Sequence, residues 1–187
     1  MKSDRTKEII MQHAIELIQN SNGLIENITM REIAKHAGIS LGLINHYFGT
    51  KENLIEQCVQ RIIETVIDSF QPGLVADKDP VETTKRVAKL VMDFLMANPE
   101  IAKISILGDL KHPGKADNTM GTVHGFERRL SGDNAHDPRS RTGAFMITAV
   151  MQVAFLRKEV LRETIGIDFS DKAQRDACID DLVERFR

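Results

Sequence analysis

Apolar positions along this chain recur at intervals of three and four, the period of helices buried on one side. Ile9, Ile10, His13, Ala14, Leu17 and Ile18 make the first such stripe, ended by the turn formers Asn20-Ser21-Asn22-Gly23. Thr29 then precedes Glu32 by three residues, the spacing of a capping box. Ile33, Ala34 and Ala37 give the helix that follows an apolar face with small side chains, which lets a neighbouring helix come close. Gly38 supplies a turn, because glycine takes a positive φ without steric cost. Ile39 is expected in the core, and Ser40 caps a third helix whose Ile44 and Phe48, four apart, point inward. Gly49-Thr50-Lys51 breaks that helix and restarts another, with Thr50 as its cap. Leu54-Ile55, Cys58-Val59, Ile62-Ile63 and Val66-Ile67 then repeat every four residues to Phe70, and Gln71-Pro72-Gly73 closes the run. So wide a stripe implies burial against more than one neighbour.

The rest of the chain reads as helix too. Asp79-Pro80-Val81-Glu82 starts one with an apolar face through Val87, Leu90, Val91, Phe94 and Leu95, and Asn98-Pro99 starts another through Ile101, Ile104 and Leu107. Between Gly108 and Gly143 the periodicity weakens, and one imperfect helix around Met120 to Leu130 is expected between mobile loops. Asp137-Pro138 caps a helix that is apolar nearly all round from Ala144 to Leu156. A helix without a polar face must be covered on both sides, and a second subunit is the simplest second cover. Ser170 is expected to cap the last helix, whose stripe is Ala177, Cys178, Leu182, Val183 and Phe186. No strand pattern, internal repeat or low-complexity segment interrupts this, so the expected fold is all-α. The expected organisation is a three-helix unit over residues 1–50, a connecting helix over 51–70, and a larger helical domain spanning 51–187.

Composition narrows the function less than the pattern does. At 187 residues, with 42% hydrophobic and 28% charged side chains, the chain has the make-up of a soluble globular protein. A net charge of −2 argues against coating nucleic acid indiscriminately but permits a local site. From Ile28 to Lys51 the bases Arg31, Lys35 and Lys51 face the single acid Glu32. Cys58 and Cys178 are too few for a disulfide framework or a thiolate metal site, and their apolar neighbours suggest buried, inert thiols. No stretch reads as a signal peptide or a membrane span, so a cytoplasmic protein is expected.

Thr29, Ile33-Ala34, Ala37-Gly38-Ile39-Ser40, Gly42, Ile44, Tyr47-Phe48, Lys51 and Leu54 together resemble the amino-terminal DNA-binding domain of the TetR/AcrR family of bacterial regulators. Only this amino-terminal third carries a specific motif. Asn45 stands where many members have an aromatic residue, and His46-Tyr47 where a tyrosine-histidine pair is common, which bears on the bases read. In a helix-turn-helix one helix crosses the DNA backbone and the next lies in the major groove. Thr29, Tyr47 and Lys51, at helix ends or edges, suit phosphate contacts. Ser40, Leu41, Asn45 and His46 are candidates for base edges, and Gly42 would let the helix approach the backbone. For Tyr47 and His46 the alternative is simple packing at a surface.

The resemblance implies a dimer formed by two carboxy-terminal helices, about residues 138–165 and 170–187, pairing with their mates in a four-helix interface. It also raises the prospect of a small-molecule effector in a pocket lined by Met92, Phe94, Met96, Met120, His124, Phe145, Met146 and Met151. Methionines of this kind form adaptable cavities, although a methionine stripe is more often plain core. His112, His124 and His136 do not fall on one helical face and have no cysteine or carboxylate cluster beside them, so no metal site is expected. No cofactor is implied, and no phosphate loop, dinucleotide fingerprint, nucleophile elbow or zinc-protease helix supports an enzyme. The expectation is a dimeric repressor of a near-palindromic double-stranded operator, controlled by a small molecule. A DNA-binding dimer governed by a protein partner or by abundance is the first alternative, and a helical enzyme or carrier the remote one.

Overall fold

A computed structural model describes residues 2–21, 27–69, 79–131 and 137–186, and every regular element among them is a helix. In order these are α1 (Lys2–Gln19), α2 (Met30–Ala37), α3 (Leu41–Phe48), α4 (Lys51–Ser69), α5 (Pro80–Ala97), α6 (Pro99–Lys111), α7 (Asn118–Leu130), α8 (Pro138–Leu156), α9 (Lys158–Ile165) and α10 (Lys172–Glu184). The all-α expectation stands. The Asn22-Gly23 and Gln71-Pro72-Gly73 turns, Phe70 and His136 lie outside the described residues, as do the side chains of Ile63, Val66 and Ile67.

The chain forms two compact units: Met1–Ser69 with Pro99–Leu107, and Phe70–Asn98 with Gly108–Arg187. In the first, α1 packs on α2 and α4, while α3 packs on α2 and α4. Ile10, Ala14, Ile18, Ile33, Ile44, Leu54 and Cys58 are fully enclosed, with Phe48 and Val59 nearly so. The α1 stripe is rotated from its expected line: Met11 is buried and Ile9 is 37% exposed. Burial against both α2 and α4 centres the covered face on Ile10, Ala14 and Ile18, and the Cys58 thiol reaches the Met11 carbonyl at 3.7 Å. In α6, Ile101, Ala102, Ile104 and Ile106 are buried whereas Leu107, expected inward, is 52% exposed.

In the second unit α5, α7, α8 and α10 pack together, and α9 leans on α8. The deepest line of α5 is Thr84, Ala88, Met92 and Leu95; Val87, Leu90, Val91 and Phe94 are only half-buried. Small side chains such as the enclosed Ala88 leave room for a neighbouring helix, and the buried Thr84 hydroxyl is satisfied by donating to the Pro80 carbonyl at 2.8 Å. Gly143 serves the same purpose on α8, because a Cβ there would lie 2.9 Å from Phe186 Cδ1.

Caps are where sequence and structure compare most directly. Asp79 and Asp137 accept from the first free amides of α5 and α8, as expected. Asn98 makes no such bond to α6; its amide instead donates to the Phe94 carbonyl and closes α5. The cap of α10 is Asp171, not Ser170, its carboxylate accepting from Ala173 and Gln174. The stripe of α10 is Arg175, Ile179 and Val183, with Cys178, Leu182 and Phe186 half-buried and Ala177 exposed. The helix expected over 138–165 breaks at Arg157, whose φ of −112° and ψ of 15° separate α8 from α9.

Candidate nucleic-acid interface

The α2–turn–α3 unit is built from local bonds at each of its ends. The Thr29 hydroxyl accepts from the Glu32 amide at 3.1 Å, and the Glu32 carboxylate accepts from the Thr29 amide at 2.8 Å. These hydrogen bonds to Thr29, backbone first and hydroxyl second, hold the Glu32 carboxyl below the usual glutamate range. Gly38 takes φ 67° and ψ 29°, and the amide of Ile39 returns to the Ala34 carbonyl at 3.0 Å, so the chain reverses within one residue. Ser40 caps α3 by accepting from the Leu43 amide at 3.3 Å. Thr50 caps α4 by accepting from Asn53. Asn53 then does something the sequence did not signal: its side-chain amide donates to the Phe48 carbonyl at 2.8 Å and seals the carboxy-terminal end of α3.

This framing decides which α3 side chains are available. Ile44 and Phe48 are enclosed in the core. Gly42, Asn45 and His46 are exposed, Leu41, Leu43 and Tyr47 half-buried. Ile39 is half-buried as well, rather than the core plug expected, since it lies in the turn itself. Tyr47 sits edge-on to His46 and Phe48, with ring centres 5.3 and 6.5 Å away, so its ring is partly packed while its edge reaches the surface. Lys7 of α1 lies 5.6 Å from the Phe48 ring centre, a cation–π contact that braces the far side of α3. Thr29 is exposed and Lys51 half-buried, with the Lys51 charge felt at Glu32. Of the eight candidates, Gly42, Asn45 and His46 are exposed and Leu41 and Tyr47 half-buried on α3, while Thr29, Ser40 and Lys51 stand at the starts of α2, α3 and α4.

The residues proposed for a pocket are more scattered. Met92 is fully enclosed on α5, and Met151 is 3% exposed on the inner face of α8. Phe94, Met96 and Met120 are half-buried. Phe145 and Met146 lie on the outer face of α8, 58% and 46% exposed. His124 is exposed on α7, its ring 3.4 Å from Glu127, which also accepts from Arg141 at 2.9 Å. Cys58 is enclosed, and burial pushes its thiol up to about 12. Cys178 is raised as well, by burial and then by Asp181.

The sequence signature for bacterial regulatory proteins of the tetR family matches residues 22–58, a span that contains α2, the turn, α3 and the start of α4. Residues 22–58 carry the helix-turn-helix signature of the TetR family. A TetR-like transcriptional regulator from Rhodococcus sp. RHA1 superposes over 96% of this chain and 94% of its own, with a TM-score of 0.56 at 14% identity. A TetR-family regulator from Streptomyces coelicolor A3 covers 97% and 96%, with a TM-score of 0.52 at 19% identity. At these identities the likeness concerns the fold. Among curated relatives, the HTH-type transcriptional regulator PksA of Bacillus subtilis is 33% identical over 41% of this chain and 36% of its own. The nucleoid occlusion factor SlmA of Actinobacillus pleuropneumoniae is 24% identical over 51% and 46%. The chain thus spans about half or less of the length of the curated relatives it matches. Among the described residues no helix is long and apolar enough to cross a membrane.

Proposed function

We propose that this chain is a sequence-specific DNA-binding transcriptional regulator of the TetR family that works as a dimer, each subunit placing α3 in the major groove of one half-site. The observation that carries this reading is the division of α3 into a buried anchor and an exposed edge bearing Gly42, Asn45 and His46, held rigid by caps at both ends. Asn45 is the residue to pair bidentately with adenine, and Leu41 the one to touch a thymine methyl. Thr29, Tyr47 and Lys51 fix the register on phosphates. Two readers of a symmetric dimer sit about 34 Å apart or at a multiple of that, which calls for a near-palindromic operator. Repression is the mode we assign, with a small molecule in the second unit altering operator affinity. A coupling of about 1–3 kcal/mol would suffice, roughly 5–150-fold in affinity.

Control without a small molecule is the second reading, favoured by the close enclosure of Met92 and Met151 and by the outward placement of Phe145 and Met146. The test uses fluorescence anisotropy with the intergenic DNA upstream of the gene. Asn45→Ala should relax discrimination at one base step, with a loss of about 1–3 kcal/mol. Lys51→Ala should weaken every sequence alike and lower the salt slope by about one phosphate. Binding that neither substitution alters would show that α3 does not face the groove as assigned.

A further inference from the structure

We propose that His13, Glu16 and His36 form a binding site for a borderline divalent transition-metal cation, with Zn²⁺ as its representative, that cross-links α1 to α2. His13 and Glu16 are three residues apart on α1 and so share a face, and His36 stands in the last turn of α2. Their ligand atoms converge. His13 Nδ1 lies 3.1 Å from His36 Nδ1, and Glu16 Oε2 lies 3.3 Å from the first and 3.8 Å from the second. In a tetrahedral site with bonds of about 2.0–2.1 Å, neighbouring ligand atoms stand about 3.3–3.4 Å apart. The three observed separations bracket that edge length, so the triangle approximates one face of the tetrahedron.

Hydrogen bonding satisfies this arrangement only in part, through one N–H shared between two acceptors. If His13 Nδ1 carries a proton, it has no lone pair left for His36 Nδ1, and its one N–H must be divided between the second imidazole and the carboxylate. If His36 Nδ1 donates to His13 instead, the His13 lone pair is spent and its approach to Glu16 Oε2 sets acceptor against acceptor. Protonating both rings sets two cations 3.1 Å apart at their nearest nitrogens. A cation at the centre would resolve all three contacts at once, since two imidazole nitrogens and a carboxylate oxygen lie within 4.8 Å of one another and could each give it a lone pair. Two nitrogens with one oxygen suit Zn²⁺, Co²⁺, Ni²⁺ or Cu²⁺, whereas Mg²⁺ and Ca²⁺ prefer oxygen throughout. The side chains remain 32%, 44% and 45% exposed for His13, Glu16 and His36, which leaves a solvent side for water to complete the coordination. The spacing of 23 residues between the histidines hides the site from any local reading of the sequence.

Untagged full-length protein, stripped with chelator, should bind one Zn²⁺ per chain by isothermal titration in a non-coordinating buffer. Its Tm should rise with added Zn²⁺, and Co²⁺ should give the intense visible bands of tetrahedral coordination. His13→Ala and His36→Ala should each weaken binding at least about tenfold and abolish the Tm rise, with circular dichroism confirming the fold; Glu16→Gln should weaken it less. His112→Ala should leave binding intact. Zn²⁺ binding that survives in the His13/His36 double variant, or a wild-type protein that takes up no more Zn²⁺ than that variant, overturns the site. The measurement needs no DNA, so its outcome is independent of the operator reading.

Discussion

At Thr29 one hydroxyl and one amide fix the start of α2. Both partners belong to Glu32, at 3.1 and 2.8 Å, and the box lies at the surface where water competes for the same groups. Replacing a capping Thr by Ala typically costs about 1 kcal/mol. Thr29→Ala should therefore lower the unfolding free energy by that amount, read as a lower urea midpoint with an unchanged slope, and Thr29→Ser should recover most of the loss. An unshifted midpoint would mean that packing alone sets the start of the helix. Caps were legible in the sequence because donor and acceptor lie within three residues, as at Thr29, Ser40, Thr50, Asp79 and Asp137. They failed where adjacent residues competed: Asp171 displaced Ser170, and Asn98 turned back to the Phe94 carbonyl. The meeting of His13 with His36 belongs to tertiary packing, and no local pattern encodes it.

Between elements, α5 and α10 are joined by a ladder of charges that the apolar stripes do not reveal. Lys85, Lys89 and Asp93 stand four apart on α5 and meet Glu184, Asp180 and the Lys172–Arg175 pair on α10, an antiparallel register. The last rung is the consequential one, because Arg175 is only 5% exposed and depends on Asp93 Oδ1 at 2.6 Å and the Phe169 carbonyl at 2.8 Å. Burial works to raise the Asp93 carboxyl, but hydrogen bonds from Lys172 and Arg175 and their charges more than offset it and hold it below its ordinary value. A depressed folded pKa contributes stability that is fully present above the ordinary aspartate value of about 3.9 and lost as pH falls through the lower folded one. Asp93→Asn should remove that acid-limb contribution and leave the Arg175 guanidinium without its counter-charge, costing about 1–3 kcal/mol in denaturant melts at neutral pH. A stability–pH curve unchanged in the variant would show that solvent screening already cancels the pair. The helices themselves were readable from spacing. Their exact buried lines were not, since Met11 and Ala88 owe their depth to which neighbours arrive from elsewhere in the chain.

At the scale of the whole molecule, α8 carries an apolar face on each side. Ala144, Ile147, Met151 and Phe155 fill the interior, while Phe145, Met146, Val150 and Val153 stand 46–58% exposed on the opposite side. An apolar run at helical spacing, left to water over several turns, is unusual on a monomer and marks a surface that binds another. The proposed dimer supplies that cover, with α8 of one subunit against its mate. Val150→Glu together with Val153→Glu tests it at the centre of the face. Both positions are half open to water in the single chain, so the folded subunit should keep its helicity. In the dimer the same carboxylates would be buried without partners, at a cost of about 3–5 kcal/mol for an unpaired buried charge. Light scattering should then report a monomer at concentrations where the parent is a dimer, while Val150→Ala stays dimeric. Because one copy of the proposed reader α3 exposes only Gly42, Asn45 and His46, operator affinity should fall along with the dimer and lose its dependence on the second half-site. A doubly charged variant that remains dimeric would move the subunit interface off α8.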